Sequence, residues 1–179
     1  MSAYLELVID RDKHRLENPH FCTVDLEVFL KKHGCFKKGG EILDMGSGIG
    51  APIHHYYKKN PECSFLGIDH RDENIEYGNE EARKRGTSGI NFEKVDWDKL
   101  PQNYINRFDG IISTHSLCCL KHIEDGLLPM LDLKPRWIGI NSLFYEETRC
   151  LKDLSIGLTA GLLFYRRFVL FTAYCCLLY

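Results

Sequence analysis

The chain has 179 residues, of which 44% are hydrophobic and 27% charged, and its formal net charge is −2. That length and balance predict one globular domain with a core of its own. The near-neutral charge gives no electrostatic case for general nucleic-acid binding.

In chain order, Leu5, Leu7, Val8 and Ile9 begin an N-terminal helix, and the irregular Asn18-Pro19-His20-Phe21 follows. Thr23 suits the N-cap of a helix over Val24 to His33, with Gly34 as its stop. Next comes Glu41-Ile42-Leu43-Asp44-Met45, a short apolar run carrying an acid, which enters Gly46-Ser47-Gly48-Ile49-Gly50. Glycines at alternate positions after a strand let the backbone approach a bound ligand closely. Ala51 to Lys59 reads as a helix with Pro52 in its first turn and lysines in its last, as the helix dipole favours.

A second strand, Phe65 to Asp69, precedes a helix that opens on Asp72-Glu73-Asn74 and finishes in Arg83-Lys84-Arg85-Gly86. Asn91 to Trp97 reads as a third strand and Phe108 to Leu117 as a fourth. Leu127 to Leu133 is a short apolar stretch, and Arg136 to Asn141 a fifth strand. Strands alternating with helices predict a doubly wound, mostly parallel α/β sheet with helices on both faces. Ligands then bind at the carboxyl ends of the strands, where Asp44, Asp69, Asp96 and Thr114 fall.

The turn by itself admits two cofactor classes. Gly46-x-Gly48-x-x-Ala51, with Asp69 at the expected distance, satisfies a loose dinucleotide fingerprint. Asp44 before the first glycine, and Gly50 completing Gly-x-Gly-x-Gly, resemble motif I of the class I S-adenosylmethionine-dependent methyltransferases. The later landmarks fall in that family's order, and the resemblance runs from about Thr23 to Tyr145. It implies a Rossmann-like methyltransferase fold and S-adenosylmethionine as cofactor. The turn of Gly46, Ser47, Gly48 and Gly50 would wrap the methionine part, with Asp44 holding its ammonium. Asp69, beside His70, would take the ribose hydroxyls, Asp96 the adenine amino group with Trp97 next to it, and Thr114 would open onto the methyl group.

Methyl transfer is an in-line displacement, for which holding donor and acceptor together supplies much of the rate. An acceptor of high pKa also needs a base, and His115 is the titratable group at the end of the fourth strand. Asn141 and Tyr145 are candidates for binding the acceptor. No Asn-Pro-Pro-Tyr, Asp-Pro-Pro-Tyr or Pro-Cys motif follows that strand, which points to a small-molecule acceptor and leaves protein methylation open. Two other classes remain: an NAD(P)-binding oxidoreductase, and a non-catalytic methyltransferase-like binding protein.

The eight cysteines include the adjacent pairs Cys118-Cys119 and Cys175-Cys176 within apolar runs, without Cys-x-x-Cys and partner histidines. They read as buried reduced thiols, and no metal is assigned. Met1 to Arg15 is mixed and polar rather than a signal segment, so the default location is cytoplasmic.

Residues 1–153 read as the methyltransferase domain and 154–179 as an atypical apolar tail, where the sheet's last strands are missing or altered. As a membrane span the tail is evenly balanced. Leu, Ile, Phe and Val gain about 0.3 to 0.6 kcal/mol each, while Arg166 and Arg167 cost about 2.5 to 3.5 each. Membrane association and oligomer formation are therefore the two ways, besides packing on the sheet edge, to bury it.

Overall fold

Successive residues of a strand face opposite sides of a sheet, so a strand covered on both faces is apolar throughout. In the computed structural model β1 (Glu41–Met45), β2 (Ser64–Asp69), β4 (Gly110–Thr114) and β5 (Trp137–Ser142) are buried along nearly their whole lengths. β3 (Ile90–Lys94) places Ile90 and Phe92 inward and exposes the rest, as a sheet-edge strand does. The structure describes residues 10, 12–142, 163–164 and 168–173.

The sheet order is β3-β2-β1-β4-β5-β7-β6, with β6 at Leu163–Phe164 and β7 at Phe168–Ala173. β7 runs parallel to β5 from Trp137 opposite Phe168 to Ser142 opposite Ala173, and β6 pairs antiparallel to β7. The sheet from β3 to β5 is parallel throughout. β1 has β2 on one side and β4 on the other, so the chain reverses its direction of progress there, and a crevice opens at the carboxyl ends of β1 and β4.

Two cores flank the sheet. α1 (Phe21–Lys32), α2 (Ala51–Lys59) and α3 (Asp72–Lys84) cover one face, where Leu26, Leu30, Ile53, Tyr56 and Ala82 pack with Ile42, Phe65, Phe92 and Ile112. α4 (Glu124–Asp132) covers the other, where Leu127 and Met130 join Leu43, Leu66, Ile111 and Ile138. Ile42 and Leu43, or Ile111 and Ile112, thus belong to opposite cores, as strand alternation requires.

The fourth strand, expected over Phe108 to Leu117, is confined to Gly110–Thr114 and gives way to a 3-10 turn over Leu117–Cys119, and two other boundaries differ for local reasons. α1 starts at Phe21 rather than Val24, because His20 is the N-cap and its Nδ1 accepts the Cys22 N–H at 3.4 Å. β3 ends at Lys94: the Val95 N–H makes the last bond to β2, at the Asp69 carbonyl, and Asp96 then opens a 3-10 turn over Trp97–Lys99. Among the described residues no helix is long and apolar enough to cross a membrane. Tyr145 and the boundary at residue 153 lie outside the described residues.

Candidate functional site

β1 delivers the glycine turn into the crevice. The N–H groups of Gly46 and Ser47 both donate to the Ile68 carbonyl at 2.9 Å, which ties the turn to the end of β2. Gly46, Gly48 and Gly50 all have positive φ, at 78°, 55° and 85°, a region that costs other residues energy. Their surroundings differ. A Cβ on Gly46 would stand 2.5 Å from the Ser116 hydroxyl, and one on Gly50 would enter the Phe92 ring. A Cβ on Gly48 would meet only Asp12 Oδ2, at 3.9 Å, so this glycine borders open space. The first and third glycines serve packing within the protein, while the second leaves room for a ligand.

Asp44 is 2% exposed, and among the described residues its Oδ1 accepts no hydrogen bond. Burial, and secondarily the charge of Asp69, push its carboxyl up to about 8. A buried carboxyl oxygen without a donor is costly and marks a place where a partner is missing. Asp69 is also buried, but both its oxygens are engaged. Its Oδ2 accepts the Gly48 N–H at 3.0 Å, and its Oδ1 accepts the Arg71 N–H at 3.0 Å and Asn74 Nδ2 at 3.1 Å. A carboxylate offers about four acceptor positions, so roughly one remains for a ligand.

Of the other residues expected at the cofactor, Ser47 is buried in the turn and Thr114 ends β4, its hydroxyl 3.5 Å from the Tyr56 hydroxyl. Trp97 packs against the α4-side core; a Cβ on Gly46 would lie 3.1 Å from its ring. Asp96 is exposed at the start of the 3-10 turn. His70 is largely exposed, with Nδ1 3.5 Å from Asp69 Oδ1, and its Nε2 accepts Arg71 Nε–H at 3.3 Å.

The β4 end supplies the opposite wall. His115 has φ 57°, and its N–H donates to the Asn141 carbonyl at 2.7 Å. Its own carbonyl accepts the Cys118 and Cys119 thiols at 3.3 and 3.8 Å. Ser116 Oγ donates to the Gly46 carbonyl at 2.8 Å, joining the two walls. Asn141 itself is 1% exposed beneath His115.

Gly46, Ser47, Gly48, Thr114, His115 and Ser116 line one cleft. So do Asp12, Arg15, Pro19, His20 and Thr23, which sequence reasoning did not bring to the site. Asp12 and Arg15 pair at 3.4 Å. The irregular Asn18-Pro19-His20 between two helical segments was the available signal, since such a break can fold a chain end over a neighbouring site.

Comparison with known proteins agrees with this geometry. A family model described as a methyltransferase domain matches residues 36–135. Cycloartenol-C-24-methyltransferase 1 of Oryza sativa subsp. japonica is 31% identical over 118 residues, covering 62% of this chain and 31% of the relative. The solved structure of coclaurine N-methyltransferase, bound to N-methylheliamine and SAH, is 19% identical with a TM-score of 0.51, over 62% of this chain and 31% of that one. A SAM dependent methyltransferase from Aquifex aeolicus is 24% identical with a TM-score of 0.53, over 63% and 59%. The fold is the Rossmann-like fold of these enzymes. The chain spans less than a third of the length of the plant relative it matches.

Proposed function

We propose, since this chain belongs to the methyltransferase-domain family, that it binds S-adenosylmethionine in the glycine-turn cleft and transfers the methyl group to a small-molecule acceptor. The observation that carries this reading is Asp44: a buried carboxyl with an unpartnered oxygen at the end of β1 suits a cationic amine. A dinucleotide pyrophosphate offers no cation to pair with that oxygen, which disfavours the oxidoreductase alternative. Gly48 leaves the backbone open to the ligand, and Asp69 holds the Gly48 N–H while retaining an acceptor position for a hydroxyl.

Bound there, the cofactor supplies a methyl group already activated by its sulfonium charge. The residues of this chain position and enclose it. Ser116 and Ile68 fix the turn through the Gly46 carbonyl and N–H, so the methionine end meets a preformed cradle. His115 and Thr114 form the wall where an acceptor must line up with the methyl carbon, and His115 is the catalytic residue of this reading. The buried Asn141 supports His115 from below. The acceptor is a small molecule in this reading because the net charge of −2 implies no basic surface for a nucleic acid. Among the described residues Cys22, Cys35 and Cys63 are buried thiols, as expected, whereas Cys118 and Cys119 are exposed.

Calorimetry with S-adenosylhomocysteine and with NAD tests the reading. Binding of the first, abolished or strongly weakened by Asp44→Ala, supports it; binding of NAD alone ends it.

A further inference from the structure

We propose that His20, Cys22 and His115 form a zinc site at the mouth of the cleft. One donor atom from each lies within 4.8 Å of the others, although the residues come from the start of α1 and the end of β4. Tetrahedral zinc, with bonds of about 2.0 to 2.3 Å, holds its ligand atoms about 3.3 to 3.6 Å apart. Closing on an ion therefore needs side-chain movements on the order of 1 Å, within rotamer adjustment.

His20 Nδ1 already accepts the Cys22 N–H as the cap of α1, so an ion would take Nε2, or displace that cap bond to reach Nδ1. His115 adopts the left-handed conformation, rare for a residue with a side chain, with its N–H donating to the Asn141 carbonyl. The two imidazoles meet edge to face, with centroids 5.4 Å apart and planes at 88°.

Two imidazoles and a thiol suit borderline-soft zinc, and the absence of a carboxylate among the three disfavours magnesium and calcium. Cys22 is 2% exposed behind the two histidines, which line the cleft. Three protein ligands leave a fourth position facing that cleft, the open arrangement of zinc sites that take part in chemistry. Were an ion bound, it would take up the His115 nitrogen that a general base needs and would supply Lewis-acid chemistry in its place. That consequence rests on the methyl-transfer reading, whereas zinc binding does not.

The test uses the full chain, stripped of metal by a chelator. Zinc is titrated by calorimetry, and cobalt(II) by visible absorption. One equivalent of each should bind, cobalt giving a tetrahedral spectrum with a thiolate-to-metal band. Cys22→Ser should abolish the band, while the Cys118→Ser, Cys119→Ser double variant keeps it. His20→Gln and His115→Gln should each weaken zinc by about 10-fold or more. Absence of the band in the parent chain, its survival in Cys22→Ser, its loss in the double variant, or zinc affinity unmoved by both histidine changes overturns the proposal. Should Cys22→Ser fail to fold, the two histidine variants decide. No readout depends on methyl transfer, so failure of this site and failure of the cofactor reading are told apart.

Discussion

Asp69 Oδ2 accepts the N–H of Gly48 at 3.0 Å, linking the end of β2 to the middle of the glycine turn. The same carboxylate caps the start of α3 through Arg71 and Asn74, so one buried side chain sets the positions of three elements. Asp69→Ala should weaken S-adenosylhomocysteine binding by about 1.5 to 3 kcal/mol, the worth of hydrogen bonds to a charged group. Asp69→Asn should keep more stability than Asp69→Ala while losing the acceptor that orients Gly48. Calorimetry and urea denaturation of both variants check this.

The elevated Asp44 carboxyl predicts how cofactor affinity follows pH. Below its value of about 8 the carboxyl is protonated in the unliganded protein, so pairing with an ammonium requires loss of a proton, and affinity rises with pH. An α-amino group itself deprotonates at about 8, so affinity should fall again above that. The expected profile is a bell centred near pH 8. In Asp44→Asn the rising limb should vanish.

Without ligand, Asp44 should also shape stability. Its folded-state value lies above the ordinary carboxyl value, so the stability it contributes is complete below about pH 4 and is lost as pH rises through about 8. Relative to the parent, Asp44→Asn should gain stability from pH 5 to 8 and then level off. Thermal denaturation of unliganded protein across that range reads the difference.

His54 works in the opposite direction. Burial, and then the charge of Arg85, lower its imidazole to about 4. A depressed value means that its contribution is present above about 6.5 and lost as pH falls through about 4. His54→Gln should therefore reduce the acid sensitivity of folding between pH 6.5 and 4, measured against the parent at each pH.

The glycines of the turn separate ligand space from packing. Gly48→Ala should cost about 1 to 2 kcal/mol of backbone strain, yet fold and bind cofactor poorly, because its Cβ enters open cleft. Gly50→Ala carries the same strain and drives a methyl into the Phe92 ring, adding about 1 to 3 kcal/mol of overpacking. Gly50→Ala should thus lose more stability and Gly48→Ala more affinity. Paired denaturation and binding titrations would reveal the reverse.

Much of this protein could be read locally. Apolar runs bounded by glycine and charge marked β1, β2, β4 and β5, since burial on both faces leaves a signature within each segment. Asp44, Gly46, Gly48, Gly50 and Asp69 were legible because they sit at strand ends, where chain order and site position coincide. What depends on distant contacts was not legible. That Asp69 spends most of its acceptors on Gly48, Arg71 and Asn74 follows from how β1, β2 and α3 come together. The meeting of His20 and Cys22 with His115 requires the start of α1 to fold against the end of β4. Nothing in the spacing of residues 20, 22 and 115 encodes that approach, because closure over so long a loop is decided by the packing of the whole sheet and its helices.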